Sequence, residues 1–430
     1  MAGRSTSSLW AATAPPGPAT TPLRERRRAD IAVVGAGITG LSTAIHLAER
    51  GLDVVVLEAA DAGFGGTGRN SGHIIPTIAA GDPDDLVARF GAARGERLVA
   101  FLRDSADVVW DLVRRYDIDC EAVMEGWALP AHRPSRLKLL ESKHGQWVHR
   151  QARAELWDRD RTRAMMGTDV YHGALFLRAG GHVNPLALAR GLGHAILRAG
   201  GRLYTESPVT TLDRLEREGS WRLATPAGEV AADKVVVATN AYTDALVPGL
   251  AKTLVKIVNY QTATHPLPEA ERAGVLPSDV AASDSRRDLR PWRKDRWGRL
   301  VTGATLAWPV RMERRIHGLV EAKIRETFPQ IRDTRLEYAW SGRIAITPDR
   351  MPRVHELGPG CVTAIAYNGR GMALGAAVGR ELAAWATGER AADDLALPAA
   401  PVRPMPLRSL AGRWAQLALL HYRRGDARDG

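Results

Sequence analysis

The stretch that decides the fold is IAVVGAGITGLSTAIHLAERGLDVVVLE, residues 31–58. Residues 31–34 form a short apolar run rich in β-branched side chains, which is typical of a buried parallel strand. A glycine-rich turn follows directly, and apolar residues at helical spacing then predict a helix over residues 38–48. A second apolar run, residues 54–57, ends at the acidic Glu58. This order predicts a strand–turn–helix–strand unit with parallel strands.

The glycine-rich turn has the spacing of a dinucleotide-binding site. Gly35 permits the tight turn, Gly37 lets the backbone approach a pyrophosphate, and Gly40 lets the helix pack closely on the strand. Unpaired N–H groups at the start of the helix would hold the phosphates. The carboxylate of Glu58 would accept hydrogen bonds from a ribose 2′-hydroxyl and repel a 2′-phosphate. The alternative is a glycine-rich turn that binds no ligand.

Composition favours a globular protein without nucleic-acid function. The 430 residues suffice for two domains, and the hydrophobic and charged fractions, 45% and 25%, are ordinary. The net charge of +11 comes mainly from scattered arginines. One dense cluster, Arg24 with Arg26, Arg27 and Arg28, precedes the first strand. We therefore favour solvated surface charge over nucleic-acid binding.

Cysteine usage and hydropathy bear on the cellular compartment. Cys120 and Cys361 make neither a disulfide framework nor a metal-ligand cluster, so we expect no metal site. This usage is typical of a reducing cytoplasm. We find no signal-peptide pattern and no apolar run of about 18 residues, and we therefore expect a cytoplasmic protein without a membrane span.

The remaining chain alternates helical and strand-like segments. Residues 84–166 have mostly helical spacing, whereas residues 250–340 alternate strands with charged turns and predict antiparallel sheet. An apolar strand over residues 361–366 is followed by a glycine turn and an alanine-rich helix over residues 370–387. This second strand–turn–helix unit predicts another helix N-terminus that points at the ligand.

Four stretches resemble the FAD-dependent D-amino-acid oxidase superfamily. The glycine and sarcosine oxidases and gamma-glutamylputrescine oxidoreductase form the branch that they resemble most. The resemblance covers roughly residues 30–400, and the run Gly68-Arg69-Asn70-Ser71-Gly72 is its most specific part. The stretches are residues 34–42, 63–72, 340–352 and 367–372.

The resemblance implies an α/β fold whose substrate part is α+β. A Rossmann-like FAD-binding domain would be assembled from separated segments, with an inserted substrate domain of antiparallel sheet and helices. The implied segments are 30–83, 168–248 and 338–400 for the FAD-binding domain, 84–167 and 249–337 for the substrate domain, 1–29 for an irregular arm, and 401–430 for a helical tail.

The resemblance also implies which residues hold FAD. The ADP part would lie on the first glycine turn, and the ring between the loop of residues 69–73 and the turns at Gly342 and 369–372. N–H groups of Gly371 and Met372 would meet negative charge that develops on the ring. Sarcosine oxidases attach flavin through a cysteine where Gly342 stands here, so we expect non-covalent FAD. The implied cofactor residues are Gly35, Ala36, Gly37, Ile38, Thr39, Gly40, Glu58, Ala59, Gly66, Thr67, Arg69, Asn70, Ser71, Gly72, Val209, Ala238, Thr239, Asn240, Trp340, Gly342, Arg343, Gly369, Arg370, Gly371 and Met372.

Four residues are candidates for substrate contact or catalysis: His73, Tyr260, Tyr367 and Arg370. His73 could line the flavin, attach it covalently or be a structural histidine, and we favour the structural role. The two tyrosines could wall an amine pocket or belong to the core. Arg370 could pair with a substrate carboxylate through two parallel hydrogen bonds. We expect solvated turn charge from Arg286, Arg287, Arg290 and Arg293.

The implied function is oxidation of the C–N bond of a primary or secondary amine or amino acid. Hydride would pass to flavin N5, with oxygen as the acceptor and hydrogen peroxide as a product. One alternative is an amine dehydrogenase that uses a quinone or a carrier protein. Others are a non-catalytic flavin-binding protein and an NAD-dependent enzyme that uses the same first motif.

Overall fold

The computed structural model describes residues 8–215, 219–286, 290–306 and 312–405. Its strands are β1 (Arg26–Val34), β2 (Val54–Leu57), β3 (His73–Ile74), β4 (Trp127–Pro130), β5 (Ala154–Trp157), β6 (Ala174–Leu177), β7 (Gly181–His182), β8 (Arg202–Tyr204), β9 (Thr211–Leu215), β10 (Ser220–Ala224), β11 (Glu229–Val237), β12 (Val255–Pro266), β13 (Ala281–Ser283), β14 (Pro291–Lys294), β15 (Arg299–Ala304), β16 (Leu336–Ile346), β17 (Arg353–Gly358) and β18 (Cys361–Ile365). Its α-helices are α1 (Leu9–Thr13), α2 (Ile38–Ala48), α3 (Pro83–Phe90), α4 (Ala92–Arg103), α5 (Ser105–Arg115), α6 (Leu137–His149), α7 (Arg159–Met166), α8 (Pro185–Arg198), α9 (Glu269–Gly274), α10 (Met312–Thr327) and α11 (Gly371–Thr387).

The first sheet is a Rossmann-like parallel sheet. Its strand order is β17-β18-β11-β1-β2-β8, and the contacts from β18 to β8 are all parallel. The strands β9 and β10 extend it as an antiparallel pair along β11. All four residues of β2 are buried, as expected of a parallel strand covered on both faces. The predicted α/β class is thus confirmed.

Helices α2 and α11 pack closely through glycines of α11. A Cβ atom at Gly379 would lie 2.5 Å from the Cβ of Ser42, and one at Gly375 would lie 2.8 Å from a methyl carbon of Ile38. The Ser42 hydroxyl donates a 2.7 Å hydrogen bond to the carbonyl oxygen of Ala376. This close approach brings the N-termini of the two helices to the same edge of the sheet.

The second sheet has the order β16-β12-β15-β14-β13-β4-β6-β5 and is antiparallel except between β13 and β4. Side chains of α10 cover one face of it, where they join a core that contains Trp292 and Phe328. The strands β6 and β16 belong to this sheet, although we expected their residues to lie mostly in the FAD-binding domain. The exact domain boundaries stay a prediction.

The N-terminal arm is more ordered than the sequence indicated. Leu9 and Trp10 lie in α1 and are fully buried, and β1 begins at Arg26 because residues 26–29 continue its pairing with β11. The helical tail predicted for 401–430 falls largely outside the described residues. Over the part of the chain that the structure describes, no helix combines the length and apolar character that crossing a membrane requires. Both cysteines are buried free thiols.

Candidate cofactor and substrate site

The three glycines at the turn between β1 and α2 leave little or no room for a side chain at their positions. Gly35 has a φ of 103°, and a Cβ there would lie 3.1 Å from the carbonyl oxygen of Ala238. A Cβ at Gly40 would lie 2.0 Å from the carbonyl oxygen of Gly35, and one at Gly37 would lie 3.3 Å from the Thr67 hydroxyl. The three glycines therefore keep Cβ atoms away from the backbone of this turn, which allows a pyrophosphate to approach it closely.

The carboxylate of Glu58 closes this turn from the end of β2. Its oxygens accept hydrogen bonds from the backbone N–H of Ala36 at 2.7 Å and of Ala60 at 2.9 Å. Burial raises the pKa of Glu58 and the backbone donors oppose the rise. Each oxygen keeps a lone pair that could accept a hydrogen bond from a ribose hydroxyl. The ribose contact stays a prediction.

The loop of residues 66–72 lies between β2 and β3 in the chain and contacts the starts of both α2 and α11. The Thr67 hydroxyl accepts a 2.9 Å hydrogen bond from the N–H of Ile38 in the first turn of α2. The amide of Asn70 donates to the carbonyl oxygen of Thr67 at 2.7 Å and lies 3.2 Å from the sulfur of Met372 in α11. Its oxygen accepts the N–H of Gly72 at 2.7 Å. Asn70 thus fixes the loop conformation.

The turn that leads into α11 has an unusual backbone. Ala366 and Asn368 have φ values of 70° and 51°, in the left-handed region that costs a non-glycine residue about 1–3 kcal/mol. Side-chain oxygens hold this conformation: that of Asn240 accepts the N–H of Ala366 at 3.0 Å, and that of Asn368 accepts the N–H of Thr347 at 2.9 Å. Such strain is typical of functional turns.

Most of the predicted cofactor residues come together at this edge of the first sheet. Ala238 and Asn240 contact the glycine turn and the turn before α11. Gly342 of β16 packs against Arg69, with its Cβ position 3.0 Å from that of Arg69. The Arg343 guanidinium lies 5.6 Å from the ring centre of Tyr242.

Other predicted cofactor residues lie close to the same turns. Thr239 bonds Thr243 through their hydroxyls at 2.7 Å, and Ala59 lies between Glu58 and the donor Ala60. Val209 packs against the core that contains Leu57 of β2. Trp340 lies in β16, where its indole N–H donates to the carbonyl oxygen of Arg69 at 3.0 Å. Further predicted members are distributed over the starts of α2 and α11 and the loop of residues 66–72: Ile38, Thr39, Gly66, Ser71, Gly369 and Gly371.

His73 and Arg370 lie near one another where the two sheets meet. His73 is buried in β3, pairs with His182 of β7, and has Nδ1 3.4 Å from the Ser283 hydroxyl. Burial, and then the positive charge of Arg293, hold the pKa of His73 well below its usual value. Its ring is therefore neutral at neutral pH. The Nε2 atom has no hydrogen-bond partner among the described residues.

The Arg370 guanidinium lies 5.1 Å from the ring centre of Trp127 in β4. Within the described ranges, no carboxylate forms an ion pair with it. Burial lowers the pKa of Arg370 to about 10, so the side chain stays cationic at neutral pH. Arg370 is thus a half-buried cation without an acidic partner, directly before α11.

The two candidate tyrosines are packed in the interior. Tyr260 faces the helix side of the second sheet, in the core with Ile316 and Val320 of α10. Tyr367 is 4% exposed, and its hydroxyl lies 2.9 Å from that of Thr39. These positions favour the core interpretation for both residues over direct substrate contact.

The expectation of solvated charge was wrong for Arg293 and for two neighbouring arginines. Arg293 is fully buried, and burial lowers its pKa to about 10. Arg286 pairs with the buried Asp284 and with Glu326, and Arg290 pairs with Glu326. Arg287 lies outside the described residues. Alternation gives no signal for Arg293, because β14 buries two consecutive residues, Trp292 and Arg293.

A parallel sheet whose first strand–helix turn forms a glycine cradle defines a dinucleotide-binding protein. The family model described as FAD dependent oxidoreductase (DAO) matches residues 30–385, and the chain belongs to this family. It is therefore an oxidoreductase with FAD as its cofactor, and the glycine cradle and Glu58 fit that group. The resemblance that the four stretches indicated is confirmed.

Individual relatives agree with the family. The chain is 33% identical over 380 residues to gamma-glutamylputrescine oxidoreductase of Escherichia coli, and the aligned region covers 88% of each chain. Glycine oxidase from Geobacillus kaustophilus superposes with a TM-score of 0.69 at 20% identity, over 85% of this chain and 96% of that one. Iminodiacetate oxidase from Chelativorans sp. BNC1 superposes with a TM-score of 0.68 at 19% identity, over 87% and 100%.

Proposed function

We propose that the protein oxidises the C–N bond of a primary or secondary amine or amino acid that carries a carboxylate. Oxygen is the proposed electron acceptor, with hydrogen peroxide as the product. The compounds after which the relatives are named support an amine: gamma-glutamylputrescine, glycine and iminodiacetate all contain one. The observation that carries the carboxylate is the unpaired cation of Arg370.

An arginine withdrawn from water without a counter-ion loses hydration that nothing in the protein replaces. Arg370 meets this condition in part: it is half-buried, and its guanidinium lies 5.1 Å from the ring centre of Trp127. A substrate carboxylate would supply the missing charge and accept two parallel hydrogen bonds. Because the start of α11 follows directly, the bound substrate would lie beside the turn assigned to the flavin.

The neutral state of His73 limits what this residue can do. A general base for an ammonium substrate works best with a pKa near the operating pH, and the pKa of His73 is far below that range. We therefore assign His73 a structural role in which it orients the wall of the site through Ser283. The substrate amine then enters in its neutral form.

When bound, FAD supplies the redox chemistry by accepting, at N5, the hydride that leaves the carbon bearing nitrogen. The chain contributes the surroundings. The N–H groups of Gly371 and Met372, at the positive end of α11, would stabilise negative charge that develops on the flavin ring. No described cysteine lies at the turn of Gly342, so we propose non-covalent attachment. Yellow colour that stays with acid-precipitated protein would contradict this.

Anaerobic mixing with a panel of amines, followed by rapid mixing with oxygen, tests the function. The panel contains matched pairs that differ only in a carboxylate. We expect bleaching of the flavin near 450 nm by the carboxylated members, and fast reoxidation with peroxide release. Negligible reoxidation would favour a dehydrogenase that uses a quinone or a carrier protein. A flavin that no amine reduces would favour a non-catalytic flavin-binding protein.

A further inference from the structure

Three consecutive carbonyl groups of the loop between the helix starts are bonded by side chains from three distant segments. The Trp340 indole N–H donates to the oxygen of Arg69 at 3.0 Å, and the Trp10 indole N–H donates to that of Asn70 at 2.8 Å. The Arg293 guanidinium donates to the oxygen of Ser71 at 3.4 Å. Each acceptor of this stretch is therefore occupied within the protein.

Two backbone N–H donors of the same stretch have no acceptor within the protein's described residues. Neither the backbone N–H of Asn70 nor that of Ser71 has an acceptor among the residues that the structure describes. The side chain of Asn70 is fully engaged within the loop and with Met372. The loop thus presents free N–H groups. The flavin ring carries carbonyl oxygens and unprotonated nitrogens, which are acceptors that such donors can bind.

Trp10 reaches this loop because the N-terminal arm is anchored in the interior. Its ring is fully buried, meets the ring of Trp340 edge-on with centroids 5.7 Å apart, and lies 5.0 Å from the guanidinium carbon of Arg293. Ser8 caps the helix by accepting the N–H of Ala11 at 3.1 Å. The same aromatic and cationic groups that bond the loop therefore also contact one another.

We propose that the arm of residues 8–14 is part of the flavin site and that Trp10 is a positioning residue for the loop of residues 69–71. Its indole N–H holds the Asn70 carbonyl away from the cofactor, so that the neighbouring N–H groups remain directed to it. Without this bond the loop samples further conformations, and FAD binds only the competent fraction. This inference rests on the part of the proposed function that lays the flavin against this loop.

The variant Trp10→Phe keeps the apolar ring and removes the N–H donor. We expect its dissociation constant for FAD, measured by flavin fluorescence on apoprotein, to rise about 2- to 10-fold, the range of one net hydrogen bond. Trp221→Phe is the matched control, because Trp221 is 7% exposed and its indole donates to the carbonyl oxygen of Pro359 at 3.0 Å on the outer strand β10. We expect the control to bind FAD like the wild type.

The visible circular dichroism of bound flavin reports its surroundings and should change in Trp10→Phe but not in Trp221→Phe. Equal dissociation constants and spectra in all three proteins would overturn the proposal. So would an equal rise in both variants, because a general loss of stability would then explain the effect.

Hydrogen exchange in the wild type tests the same link even if Trp10→Phe does not fold. Coupling between two sites is reciprocal, so FAD should slow exchange at the arm amides of Ala11, Ala12 and Ala14. Unchanged exchange there would overturn the proposal. Wild-type protein that binds FAD with arm protection but is reduced by no amine would overturn the proposed oxidation alone. Protein that binds no FAD would overturn both.

Discussion

The hydroxyl of Tyr367 lies 2.9 Å from the hydroxyl of Thr39. Tyr367 belongs to the strained turn before α11, and Thr39 lies in the first turn of α2. The bond therefore joins the two helix starts that we predict to hold FAD. Both groups are buried, and the Tyr367 hydroxyl also donates to the carbonyl oxygen of Ala364 at 3.3 Å, so this hydrogen-bonded pair helps to fix the distance between the two helix starts.

Tyr367→Phe should lower the free energy of unfolding by about 1–2 kcal/mol, since the ring stays in place and the buried hydroxyl loses its hydrogen bonds to Thr39 and Ala364. Urea unfolding measures this. If Tyr367 is a packing residue, the KM for the amine should change less than 3-fold. Loss of activity with unchanged stability would return Tyr367 to the substrate site. Thr39→Val in a double-mutant cycle would isolate the shared bond.

Gly379→Ala should separate α2 from α11. The added Cβ would lie 2.5 Å from that of Ser42 and 2.7 Å from the carbonyl oxygen of Thr39, and we expect a loss of roughly 1–3 kcal/mol in unfolding free energy. Weaker FAD binding should accompany it, since we predict the phosphate site at the start of α2. Thermal unfolding with and without FAD measures both effects.

Gly145→Ala is the control for this change. Gly145 is an exposed residue inside α6, and nothing lies within 4 Å of its Cβ position. Alanine there should raise the free energy of unfolding by about 0.5–1 kcal/mol through helix propensity. A similar loss in both variants would show that backbone effects, and not the contact with α2, decide the outcome.

The glycine turn, its flanking strands and the helix 371–387 could be predicted because their signals are local: β-branched runs, glycine spacing and helical periodicity. The positions of Trp10 and Arg293 could not be. Trp10 lies in a proline-rich segment of composition typical of an irregular arm, and its burial depends on contacts with residues 60 to 330 positions away.

Arg293 shows a second limit of sequence analysis. It lies in an arginine-rich segment, so composition favoured a solvated turn, yet the short strand β14 buries both Trp292 and Arg293, one after the other. Its guanidinium donates to the backbone carbonyl oxygens of Ser71, Val183 and Lys294, and backbone acceptors carry no sequence signature. Arg370, by contrast, could be identified because it lies inside a recognisable turn.

Arg370→Met should separate substrate binding from stability. We expect kcat/KM for a carboxylated amine to fall by roughly 30- to 1000-fold, equivalent to about 2–4 kcal/mol for a truncated charge pair. The matched amine without a carboxylate should lose much less. Since no acidic group of the described chain pairs with Arg370, its removal should leave the free energy of unfolding unchanged or slightly higher.

Arg150→Met provides the contrast. Arg150 pairs with Asp84 at 2.8 Å and with Glu96 at 2.9 Å, and its side chain is 11% exposed. Removing it leaves two carboxylates without their partner, so unfolding free energy should fall while kcat/KM stays unchanged. A destabilised Arg370→Met protein with equal losses for both members of the amine pair would contradict the assigned carboxylate contact.

His182 should make stability depend on pH. It is 2% exposed, and burial lowers its pKa from 6.5 to about 4. Above pH 6.5 neither the folded nor the unfolded chain protonates this ring. Between pH 6.5 and 4 the unfolded chain binds a proton that the folded chain does not, so the free energy of unfolding falls as the pH falls. Below pH 4 both states are protonated and the decline from this residue ends.

The full effect of His182 is roughly 3 kcal/mol, from about 1.4 kcal/mol for each unit of the difference in pKa. Urea unfolding at pH 7.5 and pH 4.5 measures it in wild type and in His182→Gln, which can still donate to the carbonyl oxygen of Asp279 that lies 3.0 Å from Nε2. The variant should lose about 2–3 kcal/mol less over this interval. Other buried histidines, including His73, lower stability in the same direction and remain in both proteins, so only the difference reports His182. Equal losses would mean that His182 protonates in the folded state as readily as in the unfolded chain, and that water reaches the β3–β7 pair.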